Sequence, residues 1–214
     1  MRRIACGLIF LFLASAMGNA QQRPLLTDDI DITPPGAIEV GVGVDFFQNV
    51  KFPLSGLKGD ATRVADIRLR TGFASNVEIQ VEGALQNYVA INSAGPSHIP
   101  LNISGNSTND RDDFTLSAKI KLLNETSRFP AIGFKFGYQM PNTDQAKGIG
   151  TNQTNIFGKV IVQKRFGRSP NRAPLVNIYG NLGLGIMTAP IAQFTQNDVF
   201  LYGLAGILDR KSVV

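Results

Sequence analysis

Apolar and polar side chains alternate with a period of two along most of this 214-residue chain. That pattern is satisfied by half-buried strands and by little else. Segment 38–46 obeys it at every position. Ile38, Val40, Val42, Val44 and Phe46 fall on one face, and Glu39, Gly41, Gly43 and Asp45 on the other. The pattern returns at 63–73, where Ala65, Ile67, Leu69, Thr71 and Phe73 oppose Asp66, Arg68, Arg70 and Gly72. At 77–88, Val77, Ile79, Val81 and Leu85 oppose Glu78, Gln80, Glu82 and Gln86. At 114–122 the polar set is Thr115, Ser117, Lys119 and Lys121; at 132–140 it is Gly133, Lys135, Gly137 and Gln139. Segments 154–166, 175–187 and 198–207 repeat the pattern less regularly. No helical stripe competes with it. The sequence therefore predicts an all-β chain with eight visible strands of roughly 9–13 residues, the length a tilted strand needs to cross a bilayer.

The connections alternate in length. Segments 48–62, 89–113, 141–153 and 188–197 are long, and 74–76, 124–130 and 167–174 are short. Turns at one end and loops at the other are the asymmetry of an antiparallel up-and-down transmembrane barrel. A soluble barrel or sandwich would alternate too. Three features favour the membrane. The strands are long. Their polar faces are rich in Gly, as at Gly41, Gly43, Gly72, Gly133, Gly137, Gly183 and Gly185. Aromatics gather at both strand ends: Phe73, Phe129 and Phe166 by the short turns, and Phe46, Phe47, Tyr88, Phe114 and Tyr138 opposite.

Charges on the polar faces change sign from strand to strand, as cross-strand pairing requires. Glu39, Asp45, Arg68, Arg70, Glu78, Glu82, Lys119, Lys121 and Lys135 are the expected lining of a lumen, where rings of charge would set selectivity. If the three-residue turn 74–76 pairs Phe73 with Val77, then Arg68 falls opposite Glu82 and Arg70 opposite Gln80.

The ends have a different character. Residues 1–20 read as a signal peptide, with Arg2 and Arg3 before an apolar run at 4–17 and small residues at Gly18 and Ala20. Cleavage would remove Cys6, the one cysteine, so the exported chain forms no internal disulfide. Segment 21–36, with Pro24, Pro34, Pro35 and clustered acids, reads as an extended lead-in to a barrel over 37–208. Residues 209–214 read as a non-native tail, because Asp-Arg-Lys-Ser-Val-Val is what a common sequencing-adapter read translates to; the barrel is then incomplete at its C-terminus. The formal charge of +5 owes much to Arg2, Arg3, Arg210 and Lys211. Between the two ends basic and acidic residues nearly balance, which gives no case for nucleic acid as a partner.

Several elements together resemble a known family. They are Leu25-Leu26-Thr27-Asp28-Asp29 followed by Pro34-Pro35-Gly36, the run PLSGLKGD at 53–60, the hairpin Gly72-Phe73-Ala74-Ser75-Asn76-Val77-Glu78, and GNLGLGI at 180–186 with Gln196-Asn197-Asp198 and Tyr202-Gly203. Over most of 24–206 the chain resembles the bacterial outer-membrane barrels grouped as transporters of the meta-pathway of phenol degradation. The resemblance implies a passive channel for small, including aromatic, solutes. It carries no catalytic motif.

Catalytic and metal chemistry find little footing. One His and one Cys give no basis for a His/Cys metal centre. His98 beside Ser97 in the longest loop is adjacent in sequence, which does not orient a base towards a nucleophile. Asp110, Asp112 and Asp113 lack the spacing of a calcium loop, and the acceptor-like triplets at Asn102, Asn106, Asn124 and Asn152 read as polar loop residues. The sequence thus predicts a non-enzymatic channel of the cell outer membrane with no cofactor. Its partners would be outer-membrane lipid, small solutes in the lumen and the barrel-assembly machinery. A structural or adhesion barrel with a plugged interior, or a soluble periplasmic ligand-binding barrel, is the alternative. The sequence leaves the oligomeric state open.

Overall fold

Nine strands form in the computed structural model, which describes residues 27–167, 174–188 and 198–208. They are β1 (Ile38–Phe52), β2 (Leu57–Ala74), β3 (Val77–Ala94), β4 (Ser107–Asp110), β5 (Thr115–Leu123), β6 (Ala131–Gln139), β7 (Asn155–Phe166), β8 (Val176–Met187) and β9 (Asp198–Leu208). One antiparallel sheet runs β1-β2-β3-β5-β6-β7-β8-β9, and β4 pairs separately with β3. The eight-stranded path curls into a half-barrel with β1 and β9 as its edges. No α-helix occurs among the described residues; a 3-10 turn spans Gln145–Lys147. The expected signal peptide and the expected foreign tail lie outside the described residues, as do 168–173 and 189–197 of the connections.

The period-two pattern sorts the faces as an up-and-down sheet requires. The apolar set points outward, with Val40, Val42, Leu182 and Leu184 all exposed, and Tyr202 and Leu204 each 81% exposed. The polar set points to the concave side, where Glu78, Gln80, Ser117, Lys119, Lys135 and Gln163 are buried. What buries them is residues 27–36, which run across the concave face before Gly36 (φ +77°) turns the chain into β1. Ile30 anchors this segment in an apolar spot of that face, against Ala131 and Ile161.

The structure corrects the expected connections. Segment 48–62 is no loop: β1 and β2 continue as a hairpin, with Val50 opposite Gly59, and turn within 53–56. Segment 89–113 likewise holds the end of β3 and the returning strand β4, with Tyr88 opposite Asn109. At the opposite end Val77 pairs with Ala74, not with Phe73, which is left in a bulge between Gly72 and Ala74. The bulge stops there, so Arg68 lies opposite Glu82 and Arg70 opposite Gln80. A second bulge sits in β2 at Ala65 (φ +53°), where Gly43 pairs with Asp66 but Val44 with Val64. An extra residue in one strand reverses its alternation, and Arg63 is thereby brought to the concave face opposite Asp45.

The aromatic belts are exposed at Phe73, Phe129 and Phe166 beside the short turns, and at Phe46, Phe47, Tyr88 and Tyr138 towards the far end. Phe114 departs from the expectation. It precedes β5, is only half-exposed, and lies over Gly83.

Candidate functional site

The register of four consecutive strands lines up a single row of charge across the concave face. Glu78 of β3 is opposite Lys119 of β5, Lys119 is opposite Lys135 of β6, and Lys135 is opposite Lys159 of β7. Three lysines side by side repel one another, and directly opposed like charges destabilise a sheet. Burial sharpens the conflict, since Lys119 is 1% exposed and Lys135 3%.

The N-terminal segment resolves it. The two oxygens of Asp28 take different lysines: Oδ1 is 3.1 Å from Lys135 Nζ, and Oδ2 meets Lys159 Nζ. Asp29 Oδ1 is 3.2 Å from Lys119 Nζ, which also lies 3.2 Å from Glu78 Oε1. Further along, Asp31 Oδ1 accepts from Arg165 at 2.6 Å. Pro34 and Pro35 make this stretch a poor interior strand, and side chains satisfy its backbone instead. Thr33 N–H and Oγ1 each donate to Glu78 Oε2 at 2.6 Å, and Ile30 N–H donates to Gln163 Oε1 at 2.9 Å. Burial pushes the Asp28 carboxyl up, but the two ammonium groups outweigh it and hold its pKa at about 2 against an ordinary 3.8.

Towards the loop end the row opens into a cavity of about 610 Å³, lined among others by Asp28, Arg68, Glu82, Lys135, Phe157 and Lys159. Its far wall is a charged cluster. Asp66 takes Arg68 at 3.0 Å and Arg63 at 3.4 Å, and Arg63 also pairs with Asp112.

All nine residues expected to line a lumen lie on this one face by register. The structure gathers Glu78, Lys119, Lys135 and Glu82 into the row and its cavity. Glu82 Oε2 is 3.8 Å from Lys135 Nζ. Arg68 sits at the cavity wall but bonds Asp66 of its own strand, not the opposite Glu82. Arg70 and Glu39 form a separate pair at 3.0 Å near the β1 edge. Asp45 lies opposite Arg63, and Lys121 opposite Gly133, both away from the row.

Sequence reasoning missed Asp28, Asp29, Asp31, Arg63, Lys159 and Arg165. For the first three a signal existed: acids clustered in a segment with no strand of its own, and an excess of lysines on adjacent strands. For Arg63 there was none, because the bulge at Ala65 is invisible to strict alternation.

The loop acids serve the backbone. Asp113 Oδ1 accepts from the Asn142 and Thr143 N–H groups at 2.8 and 3.0 Å, and Asp110 accepts from Asp144 N–H at 2.6 Å. Among the described residues no cluster of His, Cys, Asp or Glu is placed to hold a metal ion. Ser97 donates its hydroxyl to the Ile99 carbonyl at 2.6 Å.

No family model matches the chain, and neither a curated protein nor a solved structure does.

Proposed function

We propose that this chain forms part or all of an outer-membrane β-barrel whose polar concave face lines a path for small solutes. The observation that carries the reading is the direction of the apolar face. Large aliphatic and aromatic side chains on successive strands stay exposed, from Ile38, Val40 and Val42 on β1 to Phe200, Tyr202 and Leu204 on β9. A soluble protein rarely exposes so wide a contiguous apolar surface, whereas a barrel in lipid requires it. Interior polar groups, exposed aromatics at both strand ends and strands of up to 18 residues support the same reading. So does the resemblance to the outer-membrane barrels of phenol degradation. Under it the chain is not an enzyme, reaches the membrane through the barrel-assembly machinery, and has lipid as its main partner.

The test is membrane extraction followed by planar-bilayer recording. Expected are resistance to detergent-free buffer and stepwise conductance. Release into buffer would favour the soluble periplasmic binder instead. The lead-in packed on the charged row favours a second reading, a plugged structural barrel. That barrel would stay in the membrane and never conduct, with or without residues 27–36.

A further inference from the structure

We infer that the row Lys119–Lys135–Lys159 is a binding site for small carboxylates, dicarboxylates above all, and that Asp28 and Asp29 occupy it as a built-in stand-in. The inference rests on the concave face being a lumen that solutes enter. The geometry is that of a carboxylate site already filled. One carboxylate, Asp28, bridges two ammonium groups, with Oδ1 3.1 Å from Lys135 and Oδ2 on Lys159. A second carboxylate, Asp29, stands on the adjacent Lys119 at 3.2 Å. Each of these acids belongs to a segment joined to the sheet mainly by side chains, so both can leave without unpairing a strand. On leaving they strip negative charge from the row and leave Lys135 and Lys159 facing each other at the wall of a cavity of about 610 Å³. Two cations then stand together at one wall, with Glu82 Oε2 3.8 Å from Lys135, and an added anion can take the place of the one withdrawn. A planar carboxylate whose oxygens reach both ammonium groups reproduces the Asp28 contacts. Phe157, over whose ring the Lys159 ammonium lies 5.6 Å from the centroid, offers an apolar wall beside it.

Because the intrinsic acids compete, a free carboxylate binds only to the fraction of molecules in which they have withdrawn. Removing Asp28 should therefore raise apparent affinity. The experiment is equilibrium dialysis of radiolabelled succinate against the full chain folded in detergent micelles. The unaltered protein is compared with Asp28→Ala, and with Asp28→Asn should the alanine variant fail to give the heat-modifiable folded band. Succinate should bind the variant at least about 10-fold more tightly than the unaltered protein. Lys135→Gln with Lys159→Gln added should abolish that binding, and neutral succinamide should not bind. Equal affinity in variant and unaltered protein, or binding that survives loss of both lysines, would overturn the inference. Dialysis does not depend on conduction. A barrel that conducts but binds no succinate refutes this site and spares the channel reading. One that binds succinate without ever conducting does the reverse.

Discussion

The Thr33 carbonyl lies where a side chain on Gly72 would begin. A Cβ built on Gly72 falls inside van der Waals contact of the Thr33 and Pro34 carbonyl oxygens and 2.6 Å from the Pro34 carbonyl carbon. Beside it, Gly36 N–H donates to Gly72 O at 2.9 Å, and Gly72 N–H donates to Ala37 O at 3.2 Å. The lead-in thus leaves the concave face through a gap that only glycine keeps open. Gly72→Ala should push 33–36 off β2 at a cost of about 1–3 kcal/mol. Hydrogen exchange should then show faster exchange at Ile30, Thr33 and Gly36 with the β2–β3 amides still protected. Unchanged exchange at those three amides would refute it.

Acid should loosen the same segment. The Asp28 carboxyl is held at about 2 when docked against 3.8 when free. A depressed carboxylate contributes docking stability that is complete above its free pKa and is lost as pH falls through its docked pKa. The window is therefore from about pH 4 down to about pH 2, and the contribution lost is about 2 kcal/mol at 1.36 kcal/mol per unit. A carbon-13 titration of the Asp28 carboxyl should give a midpoint near 2. In Asp28→Asn the protection of the Ile30 amide, taken relative to its intrinsic exchange rate, should fall less across that window than in the unaltered protein; Glu78, which holds Thr33, leaves a remainder. A midpoint at the free value would mean that the lysines do not hold this carboxylate.

That one face of the strands is apolar was legible in the sequence because a strand has a strict period of two, and Ile38 to Phe46 never break it; that this face points outward was not, since alternation is the same whichever way a sheet curls. The β2–β3 register was legible for a weaker reason. The turn was read one residue too long, but the bulge at Phe73 absorbs that residue before the ladder reaches Arg68 and Glu82. What alternation cannot see is a change of phase, so Ala65 hid Arg63. Nor can it see a segment that belongs to no strand. Asp28 and Asp29 find their lysines across 90 or more residues of chain, a contact fixed by the curl of the sheet and not by any local pattern.

The two faces should respond oppositely to substitution. Val42 is exposed on the apolar side of β1, and under the outer-membrane reading Arg there should cost about 2–4 kcal/mol in lipid and block assembly. Gly43 has open space where a Cβ would stand, so Gly43→Ser should assemble normally. Heat-modifiability gels of membrane fractions read both. Similar tolerance of the two changes would argue for a soluble sheet.

Topology follows from the two kinds of connection. Ser93, near the tip of β3 in the extended loop region, and Ser75, in the tight β2–β3 turn, are both exposed. Under the outer-membrane reading a cysteine at 93 should react with an impermeant maleimide on intact cells, and one at 75 only after the outer membrane is opened. The reverse pattern would invert the barrel.

A buried ion pair stands at the head of the row. Lys119 and Glu78 are 1% and 0% exposed and 3.2 Å apart. Glu78 also accepts from Thr33 and Gln80, and Lys119 also holds Asp29. Removing one member of a buried pair strands the other charge at about 3–5 kcal/mol, whereas replacing both with neutral groups costs much less. Lys119→Met should therefore lower the urea midpoint of the folded barrel sharply, since Glu78 and Asp29 then face each other with no cation between them. Lys119→Met combined with Glu78→Gln should recover a large part of that loss, although Glu78→Gln alone is also destabilising. Additive effects of the two changes would mean that the residues do not act as a pair. The row would then be held by the lead-in acids alone.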